Sequence, residues 1–421
     1  MSGSKARHDT AAQDGRSIRI VAFAYACEPG RGSESAAGWA WSRMLASLAD
    51  VWVITRENNA QKIAAALPGV PEREHLHFEY VDLPRWMRFW KRGARGARVY
   101  YLLWQMAALK KARRLSEEIQ PDLAWHLTFA NAWLGSLAPF LGCRFVYGPV
   151  GGGTGTALSL WRTLGWRGSL FELTRSSARA SARYLNPLAR FAWQRADLIL
   201  VQNPETRDWL PSRHRSKTAI FPHAVLEEDV GVTPERSMRN EHPTAVYAGR
   251  LVAWKGGALA IHTIARLPGW RLRICGTGPD EARLRRLAHR LGVESRIEFL
   301  GWLPREQLRA LMVDETDVFI FPSLHDDAPF VVAEALAAGI PVVCLNRGGP
   351  PVLGGIAVDA SSGQATIEAL ARAARDAVGG KANGYPDLDT FATRLRSILE
   401  QRVGEVGPWR KRGHAGEMAQ T

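Results

Sequence analysis

Residues 318–351 read VFIFPSLHDDAPFVVAEALAAGIPVVCLNRGGPP. Val318 to Phe321 is an apolar, strand-type run, and Pro341 to Leu345 is a second. Between them Pro329 suits the first turn of a helix, and the pattern predicts that helix through Ala338. A strand, a loop, a helix and a strand in this order make a βα unit of a parallel sheet. In such sheets ligands collect beyond the carboxyl ends of the strands, where backbone N–H groups and helix N-termini favour anions. The segment His325-Asp326-Asp327-Ala328 falls at such an end. Asp326 and Glu334 are eight residues apart, so one carboxylate belongs to the loop and the other to the helix about one turn in, on the ligand side. Two such acceptors suit the vicinal hydroxyls of a sugar or a ribose. The competing structural reading makes Asp326 or Asp327 a helix cap and leaves Glu334 in solvent. Gly348-Gly349, after the second strand, permits close backbone approach.

The same rhythm extends on both sides. Upstream lie Thr244–Ala248, a helix over 255–266, Trp270–Cys275, a helix over 280–291 and Ile297–Leu300; downstream lie helical patterns over 366–377 and 390–403. A first series begins within Ser17–Ala26 and includes a helix over 34–48, Asp50–Thr55, His75–Val81, a long helix ending at Ile119, Leu123–His126, Arg144–Tyr147 and Leu198–Gln202. The polar, aperiodic stretch 222–243 separates the two series. The expected organisation is a mobile end (1–17), a Rossmann-like domain (18–221), a connection (222–243), a second Rossmann-like domain (244–403) and a polar tail (404–421). A chain of 421 residues is about twice what one core supports, in keeping with two domains.

Each strand end of the second series carries polar or glycine-rich chemistry. Arg250 and Lys255 sit five apart on a glycine-punctuated turn that opens a helix, a spacing able to clamp a diphosphate or merely to face solvent. Gly276 and Gly278 form the next turn, and Trp302 stands in the one after, either beside a base or in the core. In the first series, Gly30 and Gly32 lie in the first βα turn, His126 ends a strand, and Gly151 and Gly152 belong to GPVGGGTGT.

Taken in order, GRLVAWKGG, GTGP, FLGWLP and FPSLHDDAPFVVAEALAAGIPVVCLNRGGPP resemble the family 4 retaining glycosyltransferases, which have two Rossmann-like domains facing across a cleft, the GT-B fold. ACEPGRGSESAAGWAW, PDLAWHLTF and FVYGPVGGGTGT resemble the exopolysaccharide and lipopolysaccharide subgroup. The resemblance implies that Arg250 and Lys255 hold the donor diphosphate, that Asp326 meets the donor sugar and Glu334 the ribose, and that the backbone at Phe330 and Val331 meets phosphate. It also implies that Gly30, Gly32, Gly276, Gly278 and Trp302 shape the donor site, that His126 reaches the sugar, and that Gly151 and Gly152 lie on the acceptor side. Here the first acid is Asp rather than the family's Glu, followed by Asp327-Ala328-Pro329 in place of a small, glycine-rich segment, which alters the expected geometry. The implied reaction needs no cofactor and no metal; its substrate is a GDP- or UDP-linked sugar. The D-x-D at Asp387-Leu388-Asp389 is expected to supply a helix cap, from Asp389, rather than a metal site.

The net charge of +14 is unevenly placed: 33 Lys and Arg against 22 Asp and Glu through Pro243, and 22 against 19 after it. Residues 85–114 hold ten Lys and Arg, no acid and six aromatics, and 162–195 hold seven Arg and one acid. Basic residues interleaved with aromatics suit an anionic membrane surface; no nucleic-acid motif accompanies them. Cys27, Cys143, Cys275 and Cys344 lie far apart, as expected of free thiols in a reducing compartment. The expected setting is therefore cytoplasmic, peripheral to the inner face of the membrane, with a lipid-linked saccharide as acceptor in surface polysaccharide assembly. The alternatives are a soluble transferase or epimerase acting on a small sugar, and a non-catalytic nucleotide-sugar-binding subunit.

Overall fold

The computed structural model describes residues 17–30, 32, 34–87, 96–129, 131–227, 242–382, 384–404 and 409. Most of the expected ends and connection, and the basic run 88–95, lie outside these residues. Two parallel sheets organise the described chain. The first contains β1 (Arg19–Phe23), β2 (Asp50–Thr55), β3 (Leu76–Tyr80), β4 (Leu123–His126), β5 (Arg144–Val150), β6 (Leu198–Val201) and β7 (Thr218–Ile220), in the order β3-β2-β1-β4-β5-β6-β7. The second contains β8 (Thr244–Ala248), β9 (Arg271–Cys275), β10 (Ile297–Gly301), β11 (Val318–Phe321), β12 (Val342–Leu345) and β13 (Ile356–Val358), in the order β10-β9-β8-β11-β12-β13. In each sheet the order reverses beside the first strand of the series, the position where doubly wound folds bind ligands.

Both faces of each sheet are covered, which is why the strands read as continuous apolar runs. Ile20 and Ala22 of β1 enter one core while Val21 and Phe23 enter another. Val318 and Ile320 of β11 likewise part from Phe319 and Phe321. The expected strands are present. Two three-residue strands, β7 and β13, are additional, being too short to carry a period in sequence. Also unanticipated is the 25-residue helix Trp161–Leu185, which bends at Gly165 where φ is 66°.

Two expectations about placement change. The helix Leu388–Arg402 does not belong to the second domain: Leu388, Phe391, Ala392, Leu395 and Leu399 are buried in the first domain's core with Trp41 and Phe221. Its cap is Asp387, whose Oδ1 accepts the Thr390 N–H at 2.7 Å, rather than Asp389. Second, three aromatics of the 85–114 segment serve the interior. Tyr100, Tyr101 and Trp104, on the helix Ala97–Ile119, are buried against Tyr25, and the Trp104 indole donates to the Val81 carbonyl. The four cysteines are free, and burial pushes the Cys27, Cys275 and Cys344 thiols up to about 12.

Leu395 is fully buried. Leu395→Ala is expected to cost about 2–5 kcal/mol in denaturant unfolding, and the loss should fall on the transition of the first domain, reported by its buried tryptophans, rather than on the second.

Candidate functional site

The loops after β8, β9 and β10 and the start of the helix Phe330–Ala337 enclose a cleft of about 300 Å³ lined by Arg250, Gly276, Thr277, Trp302, Leu303 and Val331, among others. Four residues expected at the donor site therefore share one wall. Close packing of the loops explains the glycines. A Cβ at Gly276 would stand 2.0 Å from the Gly249 carbonyl oxygen, and one at Gly278 2.3 Å from that of Leu251. Trp302 is 72 % exposed, which removes the reading of it as a core residue. Pro329 provides no side-chain cap for the helix, and its carbonyl accepts the Val332 N–H at 3.0 Å, so the N–H groups of Phe330 and Val331 are the ones available to an anion.

Lys255 and Asp326 are paired beside this cleft. The ammonium lies 2.7 Å from each carboxylate oxygen and 5.6 Å from the centre of the Phe321 ring. Glu334 is only partly solvated: its side chain is 21 % exposed, and its Oε1 accepts from Arg305 Nε at 2.9 Å. Burial raises the Glu334 carboxyl above its ordinary range, although Arg305 and Arg309 pull it down. Arg305 was not singled out from sequence, and its position beside LGWLP offered no signal beyond its charge.

Neither Asp326 nor Asp327 caps the helix. Asp327 crosses to the first domain instead, where its carboxylate accepts from Gly152 N–H at 2.8 Å, Asn203 Nδ2 at 2.8 Å and Thr154 Oγ1 at 3.2 Å. Asn203 in turn caps the helix Pro204–Trp209 through the Thr206 N–H. The segment 151–155 is thereby built into the seam between domains. A Cβ at Gly151 would fall 2.5 Å from the Asp327 carboxyl carbon, and one at Gly152 2.4 Å from the Trp133 indole nitrogen. Arg179 donates to the Gly153 carbonyl at 2.9 Å, and Arg347, from the second domain, to that of Gly155 at 2.6 Å. Gly151 and Gly152 are buried and line the seam, not an open acceptor surface.

His126 also departs from expectation. It is 1 % exposed, with Nδ1 3.0 Å from Ser136 Oγ and Nε2 3.2 Å from Tyr101 Oη, so both ring nitrogens face first-domain hydroxyls. Burial lowers its pKa to about 3, which keeps the imidazole neutral. Gly30 and Gly32 are exposed and open, and Gly30 holds φ 70°.

Two doubly wound domains with the closing helix returned to the first define the GT-B fold of glycosyltransferases. Residues 234–380 match the family of glycosyl transferases group 1. The chain is 37 % identical over 108 residues to the lipopolysaccharide core biosynthesis glycosyltransferase LpsE of Rhizobium meliloti, covering 26 % of this chain and 31 % of that one. It is 28 % identical over 286 residues to the putative colanic acid biosynthesis glycosyltransferase WcaL of Salmonella typhimurium, covering 62 % and 67 %. The match thus spans about a third of the first relative and two thirds of the second. Among solved structures it is similar to HepE of Anabaena in complex with UDP and glucose, with a TM-score of 0.55, 18 % identity and 91 % and 99 % of the two chains covered.

Asp327→Ala leaves buried donors without an acceptor, at about 1–3 kcal/mol for each. Gly151→Ala drives a methyl into that carboxylate. The Gly151→Ala penalty should shrink when Asp327 is already alanine, and the melting temperatures of the four proteins in this cycle measure it; simple additivity would refute the contact.

Proposed function

We propose that the protein is a retaining, metal-independent glycosyltransferase that moves a hexosyl group from a GDP- or UDP-linked sugar to a lipid-linked saccharide in surface polysaccharide assembly. The observation that carries this reading is the shared cleft of Arg250, Gly276, Trp302 and Val331 beside the Lys255–Asp326 pair. In the reaction the bond from the anomeric carbon to the diphosphate breaks, an acceptor hydroxyl oxygen takes its place on the same face, and the hydroxyl proton passes to the leaving diphosphate. The leaving nucleoside diphosphate keeps the bonding electrons, so the protein's main task is to stabilise negative charge. Arg250, Lys255 and the N-terminus of the helix Phe330–Ala337 are preorganised for it. Trp302 offers a stacking surface for the base, Asp326 an acceptor for sugar hydroxyls, and Glu334 an acceptor for the ribose. The likeness to HepE, whose structure holds UDP and glucose, makes UDP-glucose the first donor to test. His126, enclosed by Tyr101 and Ser136, supports the loop that follows β4 rather than the sugar.

A membrane-facing first domain is supported by its exposed apolar side chains. Val99 and Met106 are exposed on the helix Ala97–Ile119, as is Trp86 upstream of it, and Trp166, Leu170, Leu173, Tyr184 and Leu185 are exposed along the helix Trp161–Leu185, where Arg162 and Arg167 are also exposed. Aromatic and aliphatic groups among arginines suit the headgroup boundary. No helix among the described residues is long and apolar enough to cross a membrane.

A thermal-shift panel of UDP-, GDP- and ADP-sugars should give one stabilising donor. Lys255→Ala should then lower turnover by about a hundredfold or more, and a panel with no shift would sink the reading. The protein should also sediment with phosphatidylglycerol vesicles, lose this on removal of Lys and Arg from 85–114, and ignore neutral vesicles; binding indifferent to lipid charge would refute the membrane assignment.

A further inference from the structure

The helix Trp161–Leu185 starts in the first domain's chain but plants Leu160 and Leu164 in the second domain's core. One turn further on, the position of a Gly168 Cβ is 2.8 Å from the Ala253 methyl, so the helix runs directly against the turn that carries Lys255. Glu172 then turns inward, with 1 % of its side chain exposed. Its Oε1 accepts from Thr156 N–H at 3.2 Å and from Arg175 Nη1 at 3.2 Å, while Oε2 lies 3.2 Å from His325 Nε2, an ion-pair distance without the alignment of a hydrogen bond. The His325 ring stacks with Trp254 at 5.5 Å and 14°, and Trp254 stacks with Phe171 at 4.7 Å and 11°. Trp254 immediately precedes Lys255, and His325 immediately precedes Asp326. The Trp254 carbonyl ties the two turns again by accepting the Leu324 N–H at 2.8 Å.

We propose that Glu172 is a positioning residue for donor binding: through His325 and Trp254 it holds Lys255 against Asp326, so that the first domain sets the affinity of the second for a nucleoside diphosphate. Resting on the glycosyltransferase reading above, this role adds an element that touches neither substrate. Glu172 stays ionised to carry it. Burial alone pushes its carboxyl up, but His325, Arg175 and the Thr156 N–H outweigh burial and bring it down to about 2. An unpaired carboxylate at such depth would be strongly unfavourable, so the seam, the stack and the two turns settle together.

The test is calorimetric titration of the full chain with UDP and GDP. Glu172→Gln and His325→Gln should each raise the Kd of the tighter nucleotide about tenfold, and the double variant should be no weaker than either alone, because both break one connection. A merely structural pair would lower the melting temperature and leave the Kd of the folded protein unchanged. Phe171→Ala, at the half-exposed end of the stack, provides a variant least exposed to folding failure, and it too should weaken binding. A Kd within about twofold of the parent for Glu172→Gln and Phe171→Ala would overturn the positioning role. If Lys255→Ala loses nucleotide while Glu172→Gln keeps it, only this role falls; if the parent chain binds neither nucleotide, the donor-site reading fails and takes this one with it.

Discussion

A half-buried carboxylate has to replace the water it loses with donors, and Asp327 finds its three in another domain. Its hydrogen bonds to Gly152, Thr154 and Asn203 join the loop after β11 to the loop after β5 and to the cap of the helix Pro204–Trp209. Neutral donors to an ionised acceptor make stronger bonds than neutral pairs, and a donor left unmet at the same depth would cost more than the bond contributes. The seam is therefore specified by direction as well as by apolar contact. It explains why 151–153 admit no side chain: a Cβ there would strike Asp327, Trp133 or Thr206.

Three consecutive residues of this loop face three tasks. His325 meets Glu172, Asp326 meets Lys255, and Asp327 meets the first domain. Gly348 and Gly349 lie close behind, where Cβ atoms would stand 2.1 Å and 1.6 Å from the Asp326 and Asp327 carbonyl oxygens, and the Gly349 N–H donates to that of Asp326. A loop gripped from so many sides ties the seam between the domains to the Lys255–Asp326 pair through adjacent residues. Phe330 strengthens this link by packing against cores on both sides of the seam.

Much of the fold was legible because parallel strands covered on both faces leave a local record, an apolar run between glycine-rich turns. The candidate cleft was legible in part for the same reason: Arg250, Gly276, Trp302 and Val331 sit at successive strand ends, and a doubly wound topology brings strand ends to one edge. The helix Trp161–Leu185 left no such record. Its apolar residues Trp166, Leu170 and Leu173 are exposed while Glu172 is buried, inverting the pattern by which an amphipathic helix is found. Tyr100, Tyr101 and Trp104 misled in the opposite sense, since basic neighbours made core aromatics look interfacial.

By itself the sequence determined the alternation of strand and helix, the two parallel sheets and the set of strand-end residues available for a donor, because periodicity and turn chemistry act over a few neighbouring positions. Only the tertiary structure decided which of two adjacent aspartates faces Lys255 and which crosses the seam, that His126 is enclosed, and that the last helix returns to the first domain's core. Those outcomes depend on which donors and which apolar surfaces meet between separate elements, over separations from 25 residues for Tyr101 and His126 to 175 for Gly152 and Asp327, and no local pattern encodes such a meeting.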